Sequence, residues 1–237
     1  MYIQSKIIIL TSINYSDTDM IVKCFSKEKG KLTFMVKGVR KPGKRKNKKS
    51  YFQPLSILQA GFQYRENKQL QYFKELDIDE PLSTIHQDIK KSTVVLFLSE
   101  VIGNAIQEEE VNDQLFFYLE NAIFWLDTHQ QTQNFHIAFL IGFSKYLGIY
   151  PELSQLQEHL DLTNNQLENN QLNDVDILKL AEIIQGNIDI TNSHAININR
   201  EERLNVLELL LLYYRQMLPG FKFPKSFAVV KDIFLNY

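Results

Sequence analysis

The chain has 237 residues, of which 44% are hydrophobic and 12% aromatic, a composition typical of folded proteins and not of disordered ones. No apolar run approaches the roughly 20 residues of a membrane-spanning helix. The first ten residues lack the features of a secretory signal, so the sequence predicts a cytoplasmic protein without membrane contact. The formal net charge is only −2, yet residues 1–80 hold 16 Lys or Arg against 8 Asp or Glu, whereas residues 81–237 hold 10 against 20.

The first 80 residues predict a small β-barrel. Three β-branched segments, YIQSKIIIL, MIVKCFS and KLTFMVKGV, come first, and the polar turn between the last two contains Gly30, which suits a positive φ. Two further segments, PLSILQAGFQY and QLQYFKELDI, are separated by the polar turn RENK. Short strands with regularly spaced turns indicate an antiparallel barrel, and five of them in this length favour an OB-fold over residues 1–80.

The segment between the third and fourth predicted strands, KGVRKPGKRKNKKSYFQP, holds the densest positive charge. Eight of its first thirteen residues are Lys or Arg and none is acidic. Such a run is most often a solvated loop, but Pro42 and Gly43 exclude an amphipathic helix, and loops of OB-folds bind oligonucleotides. Lys and Arg neutralise phosphates, and the aromatic rings that follow can stack on bases. The candidate DNA-binding residues are therefore Lys37, Arg40, Lys41, Lys44, Arg45, Lys46, Lys48, Lys49, Tyr51 and Phe52.

After Pro81 the hydrophobic period changes from that of strands to that of helices. From Ser83 onward apolar residues recur at steps of three and four, and Ser83 and Thr84 are candidate N-caps. Further helices are predicted at about residues 112–127, 132–146, 175–185 and 200–217, followed by the amphipathic segment FAVVKDIFLNY, whereas the stretch 152–175 is interpreted as loop. The predicted fold class is α+β multidomain, with an OB-fold DNA-binding domain over 1–80 and an all-helical protein-interaction domain over 81–237.

The sequence offers no catalytic arrangement, so we expect a protein that is not an enzyme and needs no cofactor. The nine glycines form no phosphate-binding loop, and the five histidines are far apart in sequence. Asp17 and Asp19 suit a turn better than a metal site. Cys24 is the single cysteine, which excludes an intrachain disulfide and a multi-thiolate metal site.

Several short motifs, taken in order, resemble the RecO family of bacterial recombination mediators along nearly the full chain. They are YSDTDMIV at 15–22, Gly30-Lys31, Lys37-Gly38-Val39-Arg40, Gln53-Pro54, Leu147-Gly148 with Pro151, and GFKFPKS at 220–226. The resemblance implies an OB-fold on a helical domain, binding of single- and double-stranded DNA, and annealing of complementary strands. It also implies that the protein acts with RecR to help load RecA onto DNA covered by single-stranded-DNA-binding protein, with RecF an indirect partner.

The sequence departs from this family after the Leu147-Gly148 turn. Many members carry four cysteines there, which form a structural zinc site, whereas this chain has SQLQEHLDLTNN. Zinc is therefore predicted to be absent, and apolar packing of Leu153, Leu156 and Leu160 is expected to hold the segment.

The resemblance also implies a docking site for the acidic tail of single-stranded-DNA-binding protein, in an apolar pocket of the helical domain with a basic rim. A basic residue is expected just before Phe135, but this chain has Asn134. The candidates for the rim charge are Lys145, Arg215 and Lys225.

Two other functions remain open from the sequence. One is a protein–protein adaptor whose basic segment binds an acidic partner, with DNA contact incidental. The other is RNA binding through the same barrel, since stacking and phosphate contacts do not distinguish the sugar unless a 2′-OH is recognised.

Overall fold

A computed structural model describes residues 1–39, 46–106, 111–153 and 174–236, with backbone only at 46–48, 174, 235 and 236. Within these ranges six β-strands precede six α-helices, which confirms the predicted α+β fold class. The last strand ends at Ile78, and all later regular elements in these ranges are helical. The boundary between the two compact units of the chain comes later, since the units are Met1–Asp127 and Thr128–Tyr237. The domain limits 1–80 and 81–237 stay a prediction.

The strands of the first unit form one mixed sheet in the order β5-β3-β2-β1-β4-β6. All neighbours are antiparallel except β3 and β5, and the β2–β3 turn uses Gly30 with φ 64°. The bounds are β1 Tyr2–Asn14, β2 Met20–Ser26, β3 Gly30–Val36, β4 Ile57–Gln63, β5 Leu70–Gln71 and β6 Phe73–Ile78.

The predicted fifth strand is two strands, because it changes partner along its length. Thr33 and Phe34 of β3 pair with β5, whereas β6 pairs with β4, and only Tyr72 separates β5 from β6. One segment therefore borders both ends of the sheet, which is the strand arrangement of an OB-fold barrel. The six strands correspond to the five predicted ones, with the last divided at the point where the barrel turns.

Aromatic and β-branched side chains fill the barrel. Phe34, Phe62 and Val22 are fully buried, and the rings of Phe34 and Phe73 stack with centroids 3.9 Å apart. Since Phe34 lies on β3 and Phe73 on β6, this stack joins the two sides of the barrel that the sheet order places apart. Cys24 is buried in the same core, and burial raises the pKa of its thiol.

Two helices follow the sheet, α1 Ile89–Ala105 and α2 Asp113–Thr128. The cap of α1 is Asp88, whose carboxylate accepts hydrogen bonds from the N–H groups of Lys90 and Lys91. The prediction that the helix begins at Ser83 with a Ser83 or Thr84 cap was therefore wrong.

Asp127, near the end of α2, explains why Ser83 and Thr84 are not caps. Its carboxylate accepts the backbone N–H groups of Ser83, Thr84 and Ile85 at 2.9, 2.7 and 3.0 Å, and so holds the chain between β6 and α1 in a turn. Burial raises the pKa of this carboxyl, but these hydrogen bonds together outweigh burial and lower the pKa to about 2.

Two lysines of the barrel are used within the first unit. Lys6 Nζ lies 2.8 Å from Asp79 Oδ2 and 2.9 Å from Glu120 Oε1, and these partners raise the pKa of Lys6. Lys31 Nζ donates to two carbonyl oxygens at the C-terminal end of α1, at 2.8 and 3.1 Å. Neither ammonium group is left for an external phosphate.

The second unit is helical, with α3 Phe135–Tyr146, α4 Asp174–Gln185, α5 Arg200–Met217 and α6 Phe227–Asn236, close to the predicted bounds. A capping box between Asn199 and Glu202 begins α5, and Tyr214 of α5 donates to the carbonyl oxygen of Leu140 in α3. In the described ranges, none of the helices is long and apolar enough to cross a membrane.

The packing expected in place of a zinc site is not seen at Leu153, whose side chain is 42% exposed. Leu156 and Leu160, and most of the stretch predicted to be loop, lie outside the described residues.

His136 of α3 is buried, and neither ring nitrogen has a hydrogen-bond partner among the residues that the structure describes. Its ring packs 5.0 Å from that of Phe234, centroid to centroid. Burial, helped by the positive charge of Arg203, lowers the pKa of His136 to about 3, so the imidazole is neutral in the folded protein at physiological pH.

We expect Asp127→Asn to lower the free energy of unfolding by about 2 kcal/mol at pH 7, because an amide presents N–H groups to backbone donors. The folded pKa of about 2 lies below the ordinary 3.8, so this stabilisation is present above about pH 4 and is lost as the pH falls towards 2. Urea unfolding at pH 7 and pH 3 measures it, with Asp77→Asn, on the exposed side of β6, as control. Equal unfolding free energies of wild type and Asp127→Asn at pH 7 would contradict this role.

We expect His136→Phe to flatten the acid dependence of stability. Below its ordinary pKa of 6.5 the unfolded chain binds a proton at His136 that the folded chain does not bind until about pH 3. In the wild type, His136 therefore lowers the free energy of unfolding by about 1.4 kcal/mol for each unit by which the pH falls between these two pKa values. The variant lacks this contribution. Unfolding at several pH values measures the slope, and His194→Gln, at an exposed site, should keep the wild-type slope.

Candidate nucleic-acid interface

Both ends of the basic segment are fixed to the barrel. Val39 follows β3, and Phe52 ends the 3₁₀ helix Lys46–Phe52. Both side chains are buried in the barrel core, Phe52 being 2% exposed. The two ends of the basic segment are therefore attached to the same side of the barrel. Of the predicted DNA-binding residues, Arg40, Lys41, Lys44 and Arg45 lie outside the described residues, as do the side chains of Lys46 and Lys48.

The exit from β3 is set by a turn from another part of the barrel. The carboxylate of Asp19, in the β1–β2 turn, accepts the backbone N–H of Gly38 at 2.8 Å, and Gly38 has φ 66°. A positive φ is readily adopted only by glycine, so the residue type and the carboxylate fix the direction of the chain as the basic segment begins. Asp19 lies in the turn as the sequence predicted, but its carboxylate serves the backbone of a distant glycine, a partner that the sequence did not indicate.

The predicted basic residues whose side chains are described, Lys37 and Lys49, are both exposed. Within the described part of the chain, neither forms an ion pair with a carboxylate. Lys37 Nζ instead lies 5.4 Å from the centre of the Tyr72 ring. Positive charge at both ends of the segment is therefore presented to solvent and not neutralised by those acidic groups.

The two aromatic residues after the basic run have different environments. Phe52 packs in the core with its ring centroid 6.4 Å from that of Phe73, so a nucleotide base cannot reach its ring in this structure. Tyr51 is half-buried and borders a cleft of about 170 Å³ together with Ser56 and His86. Of the two predicted stacking residues, only Tyr51 keeps part of its ring at the surface.

An aromatic residue that the sequence analysis missed is Tyr72, between β5 and β6. It is 43% exposed, next to the inward-facing Phe73. Adjacent side chains of a strand point to opposite faces. Two aromatic residues in succession, Tyr72 and Phe73, within a predicted strand could therefore have indicated that one of the two rings faces outward.

A cleft of about 380 Å³, called the β3–β6 cleft below, opens beside these residues. It lies where β3, after Phe34, has lost its pairing with β5, and where β6 has turned towards β4. Exposed Lys37 and Lys74 border it, and both anchors of the basic segment, Val39 and Phe52, line it. The remaining lining residues are Met35, Val36, Tyr72, Phe73, Glu75 and Leu76.

In the second unit, each of the candidate rim residues has its own surroundings. Lys145 Nζ lies 4.8 Å from the ring centre of Tyr150, the Arg215 guanidinium lies 5.7 Å from that of Phe223, and Lys225 is exposed. The residue before Phe135 is Asn134, whose Oδ1 accepts a hydrogen bond from Nε of the buried Arg203 at 2.8 Å. Arg203 is far away in sequence, so the motif before Phe135 could not indicate it.

Nothing in the described ranges suggests a metal centre, since no three His, Cys, Asp or Glu side chains come together there.

Comparison with known proteins gives the same family along the chain. The sequence model described as Recombination protein O N terminal matches residues 1–82, and that described as Recombination protein O C terminal matches residues 86–156. The chain is 36% identical over 239 residues to the DNA repair protein RecO of Flavobacterium psychrophilum, which covers 99% of this chain and 100% of the relative. The chain is 36% identical over 244 residues to the DNA repair protein RecO of Flavobacterium johnsoniae, again over 99% of this chain and 100% of the relative. It is 34% identical over 237 residues to the DNA repair protein RecO of Bacteroides fragilis, over 96% of this chain and 97% of the relative.

We expect Asp19→Ala to free the start of the basic segment, because the Gly38 N–H loses its acceptor. The free energy of unfolding should fall by about 1 kcal/mol, and the Gly38 amide should exchange with solvent faster. Hydrogen exchange followed by NMR measures both. Asp17→Ala, an exposed site in the same turn, should leave the Gly38 amide unchanged, and equal exchange rates in the two variants would exclude this role for Asp19.

Proposed function

The chain belongs to the RecO family of DNA repair proteins, and we propose that it binds single- and double-stranded DNA and anneals complementary strands in recombinational repair. The observation that carries the proposal is a basic segment anchored at both ends in an OB-fold barrel, with the described ammonium groups of Lys37 and Lys49 exposed and unpaired with carboxylates.

Phosphate binding by this segment follows from its charge. Each Lys or Arg that neutralises a phosphate releases condensed counterions, so affinity falls with salt at a log–log slope of about −0.7 per contact on a single strand. Lysines act as hydrated point charges and Tyr51 offers a ring that accepts any base, so binding is independent of sequence.

Annealing has a simple electrostatic basis in this proposal. Two complementary strands repel each other through their phosphates, and a cationic segment near both backbones reduces that repulsion. The segment needs no base contacts for this task. The protein accelerates pairing without making or breaking a covalent bond, and we propose no enzymatic activity for it.

We propose that the helical domain predicted over residues 81–237 binds protein partners. With RecR, the protein is proposed to help load RecA onto DNA covered by single-stranded-DNA-binding protein, with RecF an indirect partner, in the cytoplasm. The acidic tail of single-stranded-DNA-binding protein is proposed to contact positive groups of this domain, with Lys145, Arg215 and Lys225 as candidates.

The salt dependence of DNA binding tests the proposal. We expect a variant of the basic segment with five cations replaced by Gln to bind a fluorescent single-stranded oligonucleotide with a slope smaller by about 3.5, the value for five lost contacts. The substituted residues are Lys44, Arg45, Lys46, Lys48 and Lys49. Titrations across a salt series measure the slope.

The matched control replaces five cations outside the barrel with Gln and should keep the slope of the wild type. These residues are Lys90, Lys179, Arg200, Lys222 and Lys225. An unchanged slope in the segment variant would remove the segment from DNA binding. Tighter binding of an acidic tail peptide than of DNA would favour a protein adaptor, and equal competition by matched RNA would favour a general single-strand binder.

A further inference from the structure

The β3–β6 cleft has a shape that phosphate binding does not need. Beyond the pairing of Thr33 and Phe34 with β5, residues 35–39 have no strand partner on that side among the described residues, and β6 diverges towards β4. The cleft between them is about 380 Å³, at the small end of the range for pockets that enclose an organic ligand. A flat group of one nucleotide fits this size, whereas a length of strand does not.

The chemistry of the cleft matches a nucleobase. Apolar side chains line it, including Val36, Val39 and Leu76, and the exposed Tyr72 ring stands at its border. Backbone N–H and C=O groups of the two diverging strand edges offer hydrogen-bond partners to the edge of a base. Exposed Lys37, Lys74 and Glu75 also border the cleft, so positive charge exceeds negative charge where the phosphates on either side of a bound base would pass.

We propose that the β3–β6 cleft binds one unpaired base stacked on Tyr72, and that this cleft distinguishes single-stranded from double-stranded DNA. The inference rests on the proposed function, since it concerns a base of the strand that the basic segment holds. A base in a duplex is stacked and paired, and extruding it costs a few kcal/mol, so a duplex does not fill the cleft. The basic segment contacts phosphates, which both forms of DNA present.

The consequence for annealing is a release step. A base held in the cleft is withdrawn from its neighbours, and it leaves the cleft when a complementary strand pairs with it. Pairing therefore removes the contact that only a single strand makes, and the product is held by phosphate contacts alone.

Tyr72 variants of the full chain test this proposal with two probes. We expect Tyr72→Ala to bind a single-stranded oligonucleotide about 5- to 150-fold more weakly, the range for loss of one stacked base, and to bind the matching duplex as the wild type does. An oligonucleotide that carries 2-aminopurine between two abasic sites has no neighbouring base to quench its emission, so stacking on a protein ring should quench it with the wild type and not with Tyr72→Ala. The salt slope of Tyr72→Ala should equal that of the wild type.

Two variants serve as controls, and thermal unfolding confirms that all are folded. Tyr72→Phe keeps the ring and should keep the quenching. Tyr2→Ala removes a tyrosine of similar exposure, 46%, at the start of β1 and should behave as the wild type. Quenching and single-strand preference that persist in Tyr72→Ala would overturn the proposal for the cleft while salt-dependent DNA binding stands. No DNA binding by the wild type would overturn the proposed function as well.

Discussion

The first unit depends on one constraint: the short segment Leu70–Ile78 has to form strand pairs at both edges of the sheet. It pairs with β3 through β5 and with β4 through β6, and it changes partner at Tyr72. The stacking of Phe34 on Phe73 holds these two sides together across the barrel. The split leaves an opening beyond Phe34, and the exposed tyrosine stands at the point of the split. The cleft is thus a direct result of how this barrel closes.

Positive charge in the first 80 residues is divided between two tasks. Lys6 and Lys31 are used inside the unit, one with carboxylates and one with the carbonyl end of a helix. Lys37 and Lys49, by contrast, face solvent at the two ends of the basic segment. Asp19 and the Gly38 conformation set where that segment leaves the barrel. The net charge of the unit does not show which lysines are paired within the protein and which face solvent. That depends on the atoms that each ammonium group contacts.

The sequence predicted local features well and distant partners poorly. Hydrophobic period and turn residues placed the hairpin around Gly30 and the helix Arg200–Met217, because both depend on neighbouring residues. The start of α1 was wrong because Asp127, more than forty residues later, takes the N–H groups of Ser83 and Thr84. The candidate site follows the same rule. Its basic run was visible as composition, whereas the inward position of Phe52 and the charge that Arg203 brings to Asn134 depend on contacts distant in sequence.

The opening between β3 and β6 also has a bearing on aggregation. Unpaired strand edges can recruit a strand from another molecule, and proteins commonly protect such edges with lysine. In the described part of the barrel, this opening is bordered by Lys37 and Lys74, whose charges oppose the approach of a second copy. Charge at these two positions therefore disfavours edge-to-edge pairing with a second barrel, and apolar residues there would favour self-association.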